Sequence, residues 1–270
     1  DGQVIVVITG HKKTYDYDGT EKTVSGYDVS ITEGSTYAET DFTFNGNAEV
    51  KATVANTYPM GLKASDFTNN NTNYSSVMFV VNDGSLVINP KSIIPDGPDT
   101  PDEKKTGITV SEPSDSKYDG KEHKEVLTVT DTKTGKELVA GTDYSVTYSS
   151  DLVNAGTVKV TVAGLGNYTG SFTKTYKITK RSVTLTSATV SKVYDGSALT
   201  NTSITVSGDG FVEGEGASYE VTGSQTEVGN SANSFEYKLN EKTLASNYDI
   251  TKVVGTLTIT AAPAPVTPPK

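Results

Sequence analysis

The stretches Tyr144-Ser145-Val146-Thr147-Tyr148 and Val158-Lys159-Val160-Thr161-Val162 place an apolar or aromatic residue at every second position. A period of two turns successive side chains to opposite faces, and so predicts strands with one buried face. Thr, Val, Tyr and Ile fill these runs, the residue types that suit a pleated surface. Helical spacing is nearly absent, with room for a short helical turn only within 61–69 and 239–247. The chain reads as all-β.

Outward from these strands, three markers recur in one order. Tyr-Asp-Gly stands at Tyr17-Asp18-Gly19, Tyr118-Asp119-Gly120 and Tyr194-Asp195-Gly196. An Asn-Tyr pair follows each, at Asn73-Tyr74, Asn167-Tyr168 and Asn247-Tyr248, 56, 49 and 53 residues after the first Tyr. A short closing strand comes next, around Leu86-Val87-Ile88, Tyr176-Lys177-Ile178 and Leu257-Thr258-Ile259. A fixed recurrence marks the unit of folding. It predicts three tandem small all-β domains in an elongated array: a divergent first copy over 1–92, a second over 106–180 and a third over 181–261. Residues 93–105 form a Pro/Asp-rich linker, and 262–270 begin another Pro-rich one. In Pro95-Asp96-Gly97-Pro98-Asp99-Thr100-Pro101-Asp102 the prolines fall three apart, as in a solvated polyproline II spacer. No Gly or Pro interrupts Tyr176 to Leu185, so the second junction is expected to be stiffer. The only Arg in the chain, Arg181, falls there and is expected to help fix the angle.

The turn chemistry of the motifs has a physical basis. Asp-Gly supplies a turn in which Gly takes positive φ and Asp bonds nearby backbone N–H groups. The Tyr of each motif is expected to bury its ring at the core edge while its hydroxyl reaches a backbone partner. Tyr118, Asp119, Gly120, Tyr194, Asp195, Gly196, Asn167, Tyr168, Asn247 and Tyr248 are therefore read first as structural residues. In the first copy the motif is doubled, Tyr15-Asp16-Tyr17-Asp18-Gly19, and either Tyr can hold the shared position.

Across all 270 residues, 23 Lys and Arg face 33 Asp and Glu, a net charge of -10. Binding a phosphate backbone needs a concentrated basic face, so no nucleic-acid partner is expected. The acidity sits mainly in the first copy, whereas the second is neutral. With no cysteine, disulfides, thiol catalysis and thiolate metal sites are excluded. No apolar run approaches the ~18 residues that span a bilayer, and no membrane insertion is expected. No calcium-loop pattern appears, and neither a metal nor a cofactor is expected. His11 and His123 lie in different copies, with no motif nucleophile beside either. No catalytic triad order, HExxH or phosphate-cradling loop is present, and an enzyme is not expected.

The repeated residues carry a resemblance. Tyr-Asp-Gly, the later Asn-Tyr, and Thr142-Asp143-Tyr144-Ser145-Val146-Thr147-Tyr148 through Asn154-Ala155-Gly156-Thr157 to Gly166-Asn167-Tyr168-Thr169-Gly170 resemble the MBG, or YDG-type, modules. These are strung in tandem on surface proteins of Gram-positive and other gut bacteria. The first copy is similar to a subtype of these modules through Thr23-Val24-Ser25-Gly26-Tyr27, Asp41-Phe42-Thr43-Phe44-Asn45-Gly46 and Met60-Gly61-Leu62-Lys63-Ala64. The resemblance implies Ig-like β-sandwiches in a secreted adhesin, attached to the bacterial cell wall through other parts of its chain. It also implies cell adhesion as the function: binding a host glycoprotein, mucin or secreted immunoglobulin, or a glycan, or projecting a binding tip. A ligand-free stalk and a carbohydrate-binding accessory module of a polysaccharide-degrading enzyme are the alternatives. The protein is expected to be a monomer. Tyr15, Tyr17, Tyr27 and Tyr37, with Phe42 and Phe44, make the first copy the better candidate for ligand recognition. Surface proteins of this class also carry Lys–Asn isopeptide bonds, for which Lys12, or its neighbour Lys13, and Asn89 are the candidates.

Overall fold

The computed structural model describes residues 2–264. Among them are 27 strands and four three-residue 3-10 turns, with no α-helix. Two of the turns, Ala64–Asp66 and Ala245–Asn247, fall where the sequence left room for helix. The others, Glu39–Asp41 and Asp102–Lys104, are too short for any periodicity to announce. The chain forms two compact units. The first holds the residues up to Glu112, with Leu127–Thr147 and Val160–Lys174; the second holds Pro113–Val126, Tyr148–Lys159 and the residues from Thr175 on. The second sequence repeat thus contributes to both, a division that differs from the three-domain reading.

In the first unit the strand Val4–Gly10 pairs antiparallel with Tyr27–Ile31 and parallel with Val77–Asn82. Lys12–Asp16 runs parallel to the closing strand Ser85–Asn89, whose other edge takes Asn56–Pro59 antiparallel. Val4, Val6 and Ile8 alternate inward and meet Leu86 and Ile88 in one core. Burying each such side chain is worth about 1.5–3 kcal/mol relative to leaving it in water. The second unit repeats this topology. Arg181–Ser187 pairs antiparallel with Ile204–Gly208 and parallel with Tyr248–Val253. Val190–Val193 lies parallel to the closing strand Gly255–Thr260, flanked antiparallel by Gly229–Asn233. The alternation read from 158–162 is present as buried Val158, Val160 and Val162.

One glycine shows how tightly this topology is packed. At Gly255 an added Cβ would lie 2.4 Å from the carbonyl oxygens of both Ser187 and Ala188. The Gly255 N–H donates to Ser187 Oγ at 2.8 Å, and that hydroxyl donates to the Asn233 carbonyl at 2.7 Å. Gly255→Ala must push backbone against backbone in this buried knot. It is expected to cost about 1–3 kcal/mol, read as a lower midpoint of urea unfolding; an unchanged midpoint would refute the packing account.

The segment 93–105 does not extend as a spacer. Asp96 N donates to Ile108 O at 3.3 Å, and the Asp96 carboxylate accepts the N–H groups of Thr106 and Gly107 at 2.8 and 2.7 Å. Its two ends are therefore held together, and the prolines sit in a closed loop. The boundary also moves. Lys91–Ser92 pairs parallel with Tyr168–Thr169, and Ile93, fully buried, donates its N–H to Thr169 O. The second repeat thus opens before the prolines, not after them. Of the terminal Pro-rich stretch 262–270, residues 265–270 lie outside the described residues.

Candidate functional site

The three Tyr-Asp-Gly motifs take one structural position. Each Tyr donates its backbone N–H to the last residue of its closing strand: Tyr17 to Asn89, Tyr118 to Thr179 and Tyr194 to Thr260. This assigns the shared position in the doubled motif to Tyr17. The turn that follows is the same in all three. Asp18, Asp119 and Asp195 each accept the N–H two residues on at 2.9 Å, and Gly19, Gly120 and Gly196 have φ of 79°, 78° and 78°. The carboxylates are stabilised in their charged form. Asp18 is held down to about 2, first by the Lys22 ammonium and then by Thr20. Asp119 is lowered chiefly by the Lys121 N–H, and Asp195 chiefly by Lys192.

What the Tyr does next was not visible in the sequence. In the first unit Tyr17 meets Tyr168 edge to face, with ring centroids 5.7 Å apart, while the Asn167 side chain accepts the Ala55 N–H at 2.8 Å. In the second unit Tyr118 meets Tyr248 edge to face, again at 5.7 Å, and the Asn247 side chain accepts the Ala155 N–H at 2.8 Å. The Tyr-Asp-Gly of one copy thus seats on the Asn-Tyr of the next, and the same four groups do it twice. Within-copy folding alone does not account for the motifs; they form a joint.

Charged residues complete each joint. Lys91 and Arg181 occupy one register position, opposite Tyr168 and Tyr248 in their parallel strands. Lys91 Nζ donates to the fully buried Asp131 at 2.6 and 2.7 Å, and the Tyr168 hydroxyl donates to the same carboxylate at 3.2 Å. In the second unit Glu215 accepts the hydroxyls of Tyr118 and Tyr248, each at 2.5 Å. Arg181 donates to the carbonyls of Gly210 and Tyr118 at 2.9 and 3.4 Å, and also to that of Asp209. Lys117 pairs with Asp209 at 2.7 Å. Lys91 and Arg181 stand two residues beyond the closing strands, in Asn89-Pro90-Lys91 and Thr179-Lys180-Arg181, a shared spacing that could have revealed them. Asp131 and Glu215 lie 37 and 33 residues before their tyrosines, with no common offset to betray them.

Burial and the nearby carboxylate raise both tyrosines of the second joint. Tyr118 is pushed up to about 12, first by burial and then by Glu215, and Tyr248 is raised for the same reasons in the same order. An unfolded tyrosine titrates near ~10. Between about pH 10 and 12 the folded chain keeps protons that the unfolded chain has lost, so stability falls as pH rises through this window. Thermal melts from pH 8 to 12 are expected to hold level and then drop above about pH 10. Tyr118→Phe should flatten that drop, and a drop of unchanged steepness would place its cause elsewhere.

The remaining sequence candidates do not assemble. Tyr37 is buried against Tyr74, and Tyr27 packs edge to face on Phe44 and Phe67. Tyr17 serves the joint, and Tyr15 lies half-buried beneath the ammonium groups of Lys13 and Lys22. With Phe42 and Phe44 also packed on Phe67, these rings supply core contacts to the first copy. Lys12 and Asn89 are held apart by register. Lys12 lies opposite Ser85 and Asn89 opposite Asp16, a gap of about 13 Å at ~3.3 Å per residue, with both residues exposed. The Asn89 amide donates to Asp16 instead. The pair Asn73-Tyr74 is not the counterpart of the other two. Ser76-Val77 takes that place: Val4 N donates to Ser76 O as Lys91 N does to Asn167 O, and Val4 pairs with Val77 as Lys91 does with Tyr168. His11 bonds Ser25 O and Asp28 at the surface, and the half-buried His123 bonds Asp119, local roles for both. No group of three or more metal-ligating side chains occurs among the described residues. No protein-family model and no curated protein matches the chain.

Proposed function

We propose that the chain is a set of three tandem β-sandwich modules, of the kind it resembles, acting as a spacer segment in a bacterial cell-surface adhesin. The observation that supports this is the use of the repeated residues. Tyr17 and Tyr118 are committed to the neighbouring copy, where a sugar-binding platform would need exposed rings. Each joint adds an edge-to-face ring pair, a hydrogen bond from a backbone N–H to an Asn side chain and a charged cluster, the features of a coupling that resists bending. The function is mechanical and non-catalytic. Small-angle scattering tests it: relative to the native chain, Asn247→Ala combined with Tyr118→Ala should broaden the distance distribution. An unchanged distribution would defeat the reading.

One feature favours a second role, recognition of a host glycoprotein or glycan by the first copy. At the end where the other copies receive a neighbour, the first has an open groove of about 570 Å³, lined in part by Gln3, Thr32, Glu33, Thr36, Asn73 and Tyr74. Amides and hydroxyls at this density suit sugar hydroxyls. Saturable binding to mucin, immunoglobulin or a glycan array, lost in Asn73→Ala, would support this role; its absence would leave the spacer alone.

A further inference from the structure

Two of the three equivalent Tyr-Asp-Gly faces are occupied, and the third is open among the described residues. Tyr118, in its joint, is 4% exposed, whereas Tyr194 is 40% exposed and its ring and hydroxyl have no partner among the described residues. The residue before each Tyr is Asp16, Lys117 or Val193, and the third of these is 48% exposed. The amide that the neighbour's Asn captures belongs to Ala55 or Ala155, each immediately preceding the strand that flanks the closing strand. In the third copy that residue is Val228, 53% exposed, just before Gly229–Asn233. Val193 pairs with Thr260 and Gly229 with Ile259, so the sheet brings Val193, Tyr194 and Val228 to one end. At that end Tyr194 is exposed where its counterpart Tyr118 is buried, and Val228 is exposed where Ala55 and Ala155 are half-buried, while the position of Val193 is exposed in all three copies.

We infer that this face is a docking surface for a further β module whose strand opens with Asn-Tyr. The Asn side chain would accept the Val228 N–H, and the Tyr ring would seat edge-on against Tyr194. The occupant is identified by what fills the same position twice in this chain. A second copy of the chain does not fit as well. Its first module offers Val4, Ser76 and Val77, where the occupied joints have a cation, an Asn and a Tyr. Docking therefore proceeds in one direction, from a Tyr-Asp-Gly end onto an Asn-Tyr end. This inference rests on the spacer reading and names the partner that reading requires.

Tyrosine nitration by tetranitromethane, mapped by peptide mass spectrometry, tests it. Two proteins are compared: the native chain, and the chain through Ala261 followed directly by a second 181–264 segment, reproducing the spacing of Thr179-Lys180-Arg181. In the native chain Tyr194 should react at least tenfold faster than Tyr118. In the extended chain the original Tyr194 should fall to the Tyr118 rate, and the protection should be lost when the appended Asn-Tyr is replaced by Ser-Val. If Tyr17 and Tyr118 react as fast as Tyr194 in the native chain, the joint itself is refuted, and the spacer reading with it. If they are protected but Tyr194 stays reactive after extension, only the docking surface is refuted. Protection of Tyr194 in the native chain with rising protein concentration, or on addition of mucin-type glycans, would reassign the face to self-association or to sugar and overturn the proposed occupant.

Discussion

Tyr248→Ala is expected to destabilise the second unit by about 3–5 kcal/mol, the usual cost of truncating a buried aromatic side chain. Tyr248 is buried and packs edge to face on both Tyr118 and Phe211. Its hydroxyl donates to Glu215 and accepts the Val212 N–H at 3.1 Å. Alanine removes both rings' partner, leaves Glu215 facing Tyr118 alone and opens a cavity at the joint. Tyr194→Ala provides the contrast: the same motif residue as Tyr118 with no neighbour to lose, expected to cost at most about 0.5 kcal/mol as an ordinary surface change. Urea unfolding of the two variants measures the difference. Equal effects would mean that Tyr248 matters only for its own strand and that the joint contributes nothing.

Asp131→Ala is expected to cost the first unit a similar amount, about 3–5 kcal/mol, by a different mechanism. Its fully buried carboxylate accepts from Lys91, from the Tyr168 hydroxyl and from the N–H groups of Lys133 and Thr134. The Lys91 side chain is itself only 10% exposed. Removing one partner of a buried pair strands the other charge in a medium that solvates it poorly. Replacing both, with Lys91→Met and Asp131→Leu, should recover part of the loss, because an apolar pair carries no desolvation penalty. The cycle of the native chain, Lys91→Met, Asp131→Leu and the double variant reads this as a coupling energy in urea. A cost below about 1 kcal/mol for Asp131→Ala, or strictly additive changes, would show that the ammonium finds water when the carboxylate is gone.

The periodicity at 158–162 and the three Tyr-Asp-Gly turns were legible because they depend on local rules: alternation, positive φ at Gly and a carboxylate two residues from an N–H. The joint was not legible, because it depends on which copy a side chain meets. Tyr118 sits next to Asp119 in sequence and 130 positions from Tyr248, and nothing local says that its ring crosses to another repeat. The same limit explains the misplaced Asn73-Tyr74. As a dipeptide it matches the others, but parallel register with Val4–Gly10 selects Ser76-Val77, and register is set by long-range pairing. The prolines of 95–101 suggested extension through composition, whereas the carboxylate of Asp96, capping Thr106 and Gly107, bends the segment shut. An acid in a proline-rich run reads as a solubiliser until its acceptor geometry is known.

That closed loop separates two kinds of continuity. The strand pairs on either side, Lys91–Ser92 with Tyr168–Thr169 and Ile108–Val110 with Val129–Asp131, hold both stems to the body of the first unit. A protease that cut the exposed tip between Gly97 and Pro101 would sever the covalent chain while leaving each new end anchored by its own ladder. Pulled from its ends, the nicked protein would bear load through hydrogen bonds and the Lys91–Asp131 pair in place of the peptide bond.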